Sequence, residues 1–444
     1  MILKEGEAKD ILTKVLGYTN ADSASILLTG LNTYNLRFAL NSITTDGFAD
    51  GLELTITSNI GKKSGAASTD RFTDEYLREA VRKSEEIAKL SPDNKEFMPT
   101  LAPQTYLKGI NYSNNTEQLT PDKRANLLMP LIEAAKSKNL NAAGYFQDDV
   151  SFSTILNSNG LFAYNIGTLS GLSSTFRTGD GTGSSRFEKQ YVDVGDFSMQ
   201  KLTDNVINKS TKSVNPAELS PGRYTVILEP AAVGDLIAYC TYFMDSRAAD
   251  EGRSYFSKKE GGNKIGEVLA DERVNIYSDP VDKNCPSIPF TDDGIPRNKT
   301  FWFENGVLKN LTRGRFWADK TDELVVPHYS NILMSGTDKT IDEMISTTES
   351  GVLVTRFWYI RTVDQQTMLL TGLTRDGLFE ISNGKISRPI KNFRFNESPM
   401  NVLQNIVEIG TAENAVGSET GDLQIFVPTL KVKNFNFSSL SDAI

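Results

Sequence analysis

Apolar residues recur every three or four positions between Glu229 and Ser254, which is the period of an amphipathic helix. These apolar positions are Ala232, Val233, Leu236, Ile237, Cys240, Phe243, Met244 and Ala248. Pro230 suits the first turn of a helix, and Gly252 suits its end. The preceding segment, RYTVIL, is typical of a strand. The pattern therefore predicts a strand followed by one long helix that packs against a core.

The first half of the chain mixes helical and strand patterns. Helices are predicted at Glu5 to Leu16, after Thr73 and from Thr120-Pro121 onward. Short strands are predicted at Ser25 to Leu28, Asn35 to Leu40 and Leu52 to Thr57. From Asn141 onward, alternation punctuated by turns predicts an antiparallel meander, in which Asn159-Gly160 forms a hairpin. We expect an N-terminal α+β domain with a curved antiparallel sheet.

The polar run from Asn208 to Pro221 predicts a linker, which divides the chain into domains 1–210 and 211–444. Strand patterns dominate after the central helix. Asn305-Gly306 and Asn383-Gly384 each predict a two-residue hairpin turn, and Gly351 to Val363 predicts one long strand. The expected fold class is α+β, with a β-rich, barrel-like C-terminal domain around the helix near residue 237.

Composition limits the classes of function. The net charge is −9 and Lys and Arg form no stripe along the sequence, which argues against direct nucleic-acid binding. No run approaches the roughly 18 to 20 apolar residues of a membrane-spanning helix. The N-terminal segment MILKEGEAKDILTKVL is charged and amphipathic, so we expect a cytoplasmic protein. Two cysteines, Cys240 and Cys285, exclude a disulfide framework.

Short blocks follow one another in a fixed order in the second half. They include TDDGIPRN, FENGVLKNLTRGRFWAD, PHYSNILMSG, ESGVLVTRFWYIRTV, DGLFEISNGKISRPI and PTLKVKNF. With the strand, helix and Gly-Arg-Ser exit at 252–254, this succession resembles the TldD/PmbA (TldE) family of proposed metallopeptidases acting on peptides. The resemblance covers most of the chain and is most specific in these blocks.

In the TldD branch the central helix carries a zinc motif of His, Glu, three residues and His. Matching the Gly-Arg-Ser exit places those positions at Ile237, Ala238 and Tyr242, which offer neither ligand nor base. The TldD branch also has a cysteine ligand before PTLKV, and the matching stretch ENAVGSETGD has none. The resemblance therefore implies the PmbA/TldE branch, with no catalytic residue and no cofactor in this chain and with zinc in a TldD-like partner.

Other candidate chemistry is sparse. His328 is the single histidine, and a ring hydrogen-bonded near a turn is its simpler interpretation. The acidic pairs Asp148-Asp149 and Asp292-Asp293 could hold a hard cation, but both abut turn signals, so we interpret them as turn residues. The glycine-rich piece from Arg177 to Ser185 lies between strands, which predicts a hairpin tip rather than a phosphate loop.

A face of the central helix and its exit could contact an extended peptide. The candidates for such a cleft are Asp235, Tyr239, Asp245, Arg247, Arg253 and His328. We place Asp235, Tyr239, Tyr242 and Ser246 on the exposed side of the helix. We expect Tyr242 to fill space that zinc and its ligand occupy in an active relative. A solvated helix face is the alternative. Strand edges of the β-rich half offer a second way to bind extended peptides.

The resulting hypothesis is a PmbA/TldE-like, non-catalytic subunit of a TldD-type zinc complex that degrades or trims unfolded peptides. We expect a homo- or heterodimer, because runs such as VTRFWYI would otherwise leave apolar patches exposed. One alternative is a metallopeptidase in its own right with a non-standard site. Another is a regulatory interaction module, in line with the family's label as a modulator of DNA gyrase.

Overall fold

A computed structural model describes residues 1–421 and 423–441. It contains two sheets with helices packed against them, which confirms the α+β class. Among the described residues, no helix is both long and apolar enough to cross a membrane. The polar run from Asn208 to Pro221 predicted a two-domain division near residue 210, and that boundary stays a prediction.

The first sheet is antiparallel, with strand order β3-β2-β1-β4-β5-β6. Its strands are β1 (Ser23–Ala39), β2 (Ser42–Ile60), β3 (Lys63–Thr69), β4 (Leu140–Asn157), β5 (Phe162–Thr178) and β6 (Ser184–Tyr191). The meander and the hairpin at Asn159-Gly160 are confirmed. The two strands expected between Ser25 and Leu40 are one strand, because continuous pairing with β2 and β4 carries the chain through the intervening polar residues.

Helices cover one face of this sheet. They are α1 (Glu5–Leu16), α2 (Asp74–Leu90), α3 (Asn114–Glu117), α4 (Pro121–Ser137) and α5 (Met199–Lys212), with a 3-10 turn at Val194–Asp196. The three predicted helices in this region are confirmed. Helix α5 reaches into the run expected to be a linker, so residues 208–212 are helical. Apolar positions of α1 and α2, such as Leu12 and Leu77, are buried against β1 and β2.

The second sheet has 13 strands. They are β7 (Gly222–Leu228), β8 (Ile276–Ser278), β9 (Thr300–Glu304), β10 (Val307–Leu308), β11 (Asn331–Met334), β12 (Ser350–Val354), β13 (Phe357–Asp364), β14 (Leu369–Thr374), β15 (Leu378–Ser382), β16 (Lys385–Pro389), β17 (Phe393–Glu397), β18 (Ile406–Asn414) and β19 (Gln424–Leu440). Strand β19 pairs with β7, β11, β17 and β18. The sheet therefore branches at β19, and within the described residues it does not close into a barrel.

Both asparagine-glycine hairpins are formed, between β9 and β10 and between β15 and β16. The long strand expected from Gly351 to Val363 is instead two strands, β12 and β13, separated by Thr355 and Arg356. Strand β12 pairs with β7 and β15, whereas β13 pairs with β14. The change of partner explains the break, which sequence alternation alone does not reveal.

The central helix is also interrupted. It forms α6 (Pro230–Tyr242) and a short α7 (Ser246–Asp250), followed by α8 (Arg315–Thr321), α9 (Ile341–Ser346) and α10 (Pro399–Gln404) later in the chain. The single long helix predicted to Gly252 is wrong because Asp245 adopts an extended backbone, and its side chain accepts a hydrogen bond from the backbone N–H of Ala248. Asp245 thus starts a new helix. Helix α6 packs against β7 and β19 in the main core.

Candidate functional site

Helix α6 carries the three positions that match the zinc motif, and they lie in different surroundings. Ile237 is 1% exposed within the core, Ala238 is partly buried, and Tyr242 is 75% exposed at the end of the helix. Tyr242 is five positions after Ile237, so the two side chains differ by about 140° in direction around the helix axis. Tyr242 therefore points to solvent, in agreement with its predicted place on the exposed side of the helix. That it fills space taken by zinc and its ligand in an active relative stays a prediction.

Ser246 was expected on the exposed side of the helix, but it is buried. The same expectation for Asp235 is also wrong. Its side chain is fully buried, and its carboxylate accepts hydrogen bonds from the backbone N–H groups of Ser418 at 3.2 Å and Glu419 at 2.8 Å. A Cβ on Gly417 would lie only 2.1 Å from the carboxylate, so this position needs glycine. The loop between β18 and β19 covers Asp235, which helical periodicity cannot show.

Burial is the main influence on Asp235. It raises the pKa of the carboxyl to about 7, while the two backbone hydrogen bonds act in the opposite direction. The group therefore changes its protonation state close to neutral pH. The loop that it holds, residues 415–421, belongs to the stretch ENAVGSETGD, whose last residue, Asp422, lies outside the described residues.

The same loop is bound to strand β13. Glu419 accepts a hydrogen bond from the backbone N–H of Ile360 at 2.9 Å and lies 3.6 Å from Arg361. Tyr239 of α6 donates its hydroxyl hydrogen bond to the carbonyl of Ile360 at 2.7 Å. Helix α6, the loop and β13 are thus joined by polar contacts. Glu419 and Tyr239 both use their polar groups within the chain.

The remaining cleft candidates lie in local ion pairs and turns. Arg247 makes a bidentate pair with Glu96, both contacts 2.9 Å, and also binds Glu251. Arg253 pairs with Glu251 as well. His328 is exposed, and its backbone carbonyl accepts a hydrogen bond from Arg297. Their role in peptide binding stays a prediction, since nothing in the geometry shows a peptide.

The two acidic pairs lie in different kinds of structure. Asp292 and Asp293 lie in a turn, as predicted. Asp148 does not, because it lies inside strand β4 and forms a buried ion pair with Arg124, whose Nη2 is 2.7 Å from the carboxylate. Sequence reasoning missed this pair because the two residues come from different elements and neither stands out from its neighbours.

Neither cysteine has the surroundings of a nucleophile. Cys240 is fully buried, with its Sγ 3.7 Å from the Sδ of Met400, and burial raises the pKa of its thiol to about 12. Burial also raises the pKa of the Cys285 thiol well above its usual range. Both thiols are therefore protonated at neutral pH, and the thiolate is the reactive form.

A hydrolytic zinc site takes about three protein ligands from His, Cys and carboxylates. In residues 1–421 and 423–441, no three such side chains are grouped so that they could hold a metal ion. Ile237, Ala238 and Tyr242 supply no donor suited to zinc, and Glu413 of β18 pairs with Lys189 at 2.8 Å. The described residues therefore do not fit a zinc ion of the kind that the TldD branch carries.

Comparison with known protein families shows to which family this chain belongs. The chain matches the PmbA/TldA metallopeptidase central domain over residues 114–213 and the PmbA/TldA metallopeptidase C-terminal domain over residues 221–439. The chain belongs to the TldD/PmbA family. The sequence blocks that indicated this family lie within the second of these matches, so the resemblance drawn from them is confirmed.

Individual relatives of this TldD/PmbA chain are distant. A metalloprotease of Methanothermobacter thermautotrophicus is 25% identical over 60% of this chain and 61% of its own length, so the chain spans less than two thirds of it. A metalloprotease TldD homolog of Buchnera aphidicola is 22% identical over 78% of this chain and 77% of its own length. The crystal structure of TldE from Thermococcus kodakarensis matches with a TM-score of 0.86 at 17% identity, covering 97% of this chain and 99% of that one. This last likeness shows a shared fold.

Proposed function

We propose that this chain is a PmbA/TldE-like, non-catalytic subunit that pairs with a zinc-carrying TldD-like subunit to degrade or trim unfolded peptides. The partner supplies the metal, the attacking water and the general base. This chain supplies part of the wall of the substrate chamber. Family membership and the TldE-type fold support the assignment.

The observation that carries the proposal is the packing of α6. At the motif positions the helix presents an aliphatic side chain in the core, a methyl group and an exposed phenol. The loop that matches the cysteine-bearing segment of TldD relatives is tied down by Asp235 and contains no cysteine among its described residues. The side chains of the helix and the loop thus stabilise the fold and do not form a set of metal ligands.

Strand β13 supports the pairing with another subunit. It pairs only with β14 among the described strands, and at Ile360 its backbone N–H and carbonyl bind the side chains of Glu419 and Tyr239. Tyr359 is 53% exposed and Val363 is 56% exposed on this strand. An edge strand with exposed large apolar side chains is a typical docking surface for another chain. We assign this edge to the contact with the partner subunit.

A pull-down from the native cell tests the proposal. We expect the chain to recover a protein that bears the His-Glu-three residues-His motif, and the reconstituted pair to cleave an unfolded peptide with zinc bound to the partner. The chain alone should hold no stoichiometric zinc and release no peptide fragments. Near one zinc per chain with chelator-sensitive cleavage by this chain alone would favour the metallopeptidase alternative. Recovery of other proteins without a motif-bearing subunit would favour the regulatory module.

A further inference from the structure

Four arginines that are distant in sequence line one open cavity of about 540 Å³. Arg177 and Arg186 come from the β5–β6 hairpin, and Arg356 and Arg375 come from the ends of β12 and β14. Trp358 of β13 lies beside them, and the loop at Gly417 forms another wall. We call the four arginines and Trp358 the arginine cleft. The cleft lies where the first sheet meets the second.

Two of the four guanidinium groups are paired inside the protein. Arg356 donates to Asp376 at 2.8 Å, and this buried carboxylate also accepts a hydrogen bond from the hydroxyl of Ser184 at 2.7 Å. Arg186 pairs with Glu188. Two carboxylates therefore balance two of the four positive charges.

The other two guanidinium groups are available to a ligand. Within residues 1–421 and 423–441, those of Arg177 and Arg375 make no hydrogen bond or ion pair. The guanidinium of Arg375 lies over the ring of Trp358, 4.0 Å from its centroid, an arrangement that orients the group and leaves its N–H donors free. The cleft thus has an excess of positive charge in a chain whose net charge is −9.

The positive region continues towards helix α6. A smaller cavity of about 150 Å³ shares Arg186 and Arg356 with the cleft and reaches Pro230 at the start of the helix. Three further cations, Lys189, Lys201 and Lys209, line it, with Glu229 and Glu413 as counter-charges. Burial lowers the pKa of Arg356, and the charge of Arg186 lowers it further, so the cations are close enough to repel one another.

We propose that the arginine cleft binds the carboxylate groups of an acidic peptide segment, with Arg177 and Arg375 as the contacting residues. The planar guanidinium presents paired N–H donors that match a carboxylate. Trp358 offers a flat apolar surface for the neighbouring peptide atoms. This inference rests on the proposed function and names a substrate class for it, namely unfolded peptides that carry clustered Asp or Glu.

A peptide fits these observations better than a nucleic acid. Binding a nucleic acid by its phosphates requires a row of cations along the backbone, and its strong negative charge is repelled by a protein of net charge −9. The cleft instead holds two free guanidinium groups beside two fixed carboxylates, Glu188 and Asp376. This spacing of charges suits separate carboxylates on a chain of neutral residues.

The test measures binding to the purified chain alone by fluorescence anisotropy. The probe is a labelled 12-residue peptide of Glu, Gly and Ser, compared with the same peptide in which every Glu is Gln. We expect the Glu peptide to bind at least about tenfold more tightly at low ionic strength, since hydrogen bonds from guanidinium groups to charged carboxylates are stronger than those to neutral amides. Added salt should weaken binding of the Glu peptide.

Variants assign the effect to the cleft. The double variant Arg177→Gln with Arg375→Gln should reduce binding of the Glu peptide at least about tenfold. The single variant Arg375→Lys keeps the positive charge and should retain most of the binding. The matched control is Arg78→Gln on α2, because Arg78 also lies over an aromatic ring, that of Tyr18 at 3.8 Å, but does not line the cleft. Circular dichroism checks that each variant is folded.

Three results would overturn the assignment. They are equal binding of the Glu and Gln peptides, unchanged binding in the double variant, and tighter binding of a 12-nucleotide single strand than of the Glu peptide. Displacement of the peptide by equimolar inorganic phosphate would also overturn it, because it would indicate a site for small anions. The assay needs no partner, so a failure here with an intact pull-down of the zinc-bearing subunit rejects only this inference.

Discussion

The buried carboxylate of Asp235 on α6 accepts a hydrogen bond from the backbone N–H of Glu419, 2.8 Å away in the loop between β18 and β19. This bond fixes the loop that approaches the helix where zinc-bearing relatives are expected to place a ligand. Because Asp235 titrates near neutral pH, the attachment of the loop depends on pH.

Asp235→Asn should change the pH dependence of stability. The pKa of this carboxyl is raised from its ordinary 3.8 to about 7 in the folded chain. The folded chain therefore binds this proton more tightly than the unfolded chain does. The stability from this group is complete below about pH 4 and is lost as pH rises through 7, by a few kcal/mol at about 1.4 kcal/mol per pKa unit.

The measurement is the melting temperature of wild type and Asp235→Asn between pH 4 and 8. The melting temperature of the wild type should fall as pH rises over this range, and that of the variant should fall less. The variant should also be less stable at pH 4, because the two oxygens of Asp235 each accept one backbone hydrogen bond and Asn replaces one of them with an NH2 donor. Parallel curves for the two proteins would contradict the assignment of the titration to Asp235.

Arg124→Ala should destabilise the first sheet strongly. The change leaves Asp148 buried without its counter-charge, and breaking a buried pair in this way costs about 3 to 5 kcal/mol. Urea unfolding measures the loss. Replacing both partners, as Arg124→Met with Asp148→Leu, should cost much less, since no charge is then left in the core. Equal losses of stability in the two variants would show that the packing of Arg124 over Tyr34, and not the unpaired charge, causes most of the destabilisation.

Cys240→Ala should reduce stability without changing the turnover of the reconstituted pair per folded molecule. The side chain is fully buried beside Met400, and deleting its sulfur leaves a small cavity that costs on the order of 1 to 2 kcal/mol. Thermal unfolding and a peptide-release assay check the two parts. Loss of turnover at an unchanged melting temperature would mean that Cys240 takes part in the reaction.

Tyr359→Ser with Val363→Ser should weaken subunit association. Both side chains are more than half exposed on β13, so the change removes apolar contact area while leaving the core intact. Analytical ultracentrifugation should show dimer for the wild type at micromolar concentration and a shift to monomer for the variant. Val268→Ser is the matched control, because Val268 is 71% exposed away from β13. A wild type that is only monomeric, alone and with the motif-bearing subunit, would reject the assigned surface.

Rebuilding the zinc motif as Ile237→His, Ala238→Glu and Tyr242→His should yield a weak zinc site and a less stable protein. Ile237 is 1% exposed in the core, where an imidazole lacks hydrogen-bond partners, and Tyr242 lies on the solvent side. The variant should hold well below one zinc per chain after dialysis and have a lower melting temperature. Tyr242→His alone should leave stability nearly unchanged. Stoichiometric zinc in the triple variant would show that the helix turns to bring both imidazoles together.

The sequence by itself determined the family, the α+β class and most helices and hairpins. These features depend on local patterns, such as the helical period of α1 and the turn chemistry of Asn305-Gly306, or on blocks whose order survives at low identity. The sequence also showed that each position matching the zinc motif holds a residue that does not bind zinc.

Only the tertiary structure decided how these elements meet. Asp235 lies on the polar side of a helix by periodicity, yet a loop from nearly two hundred residues later in the chain covers it. Arg177 and Arg375 come together because the β5–β6 hairpin of the first sheet meets the turn after β14 of the second, where Ser184 donates to Asp376. Arg124 meets Asp148 through packing of α4 on β4. Burial and charge clustering depend on residues that are distant along the chain, so the local sequence pattern does not predict them.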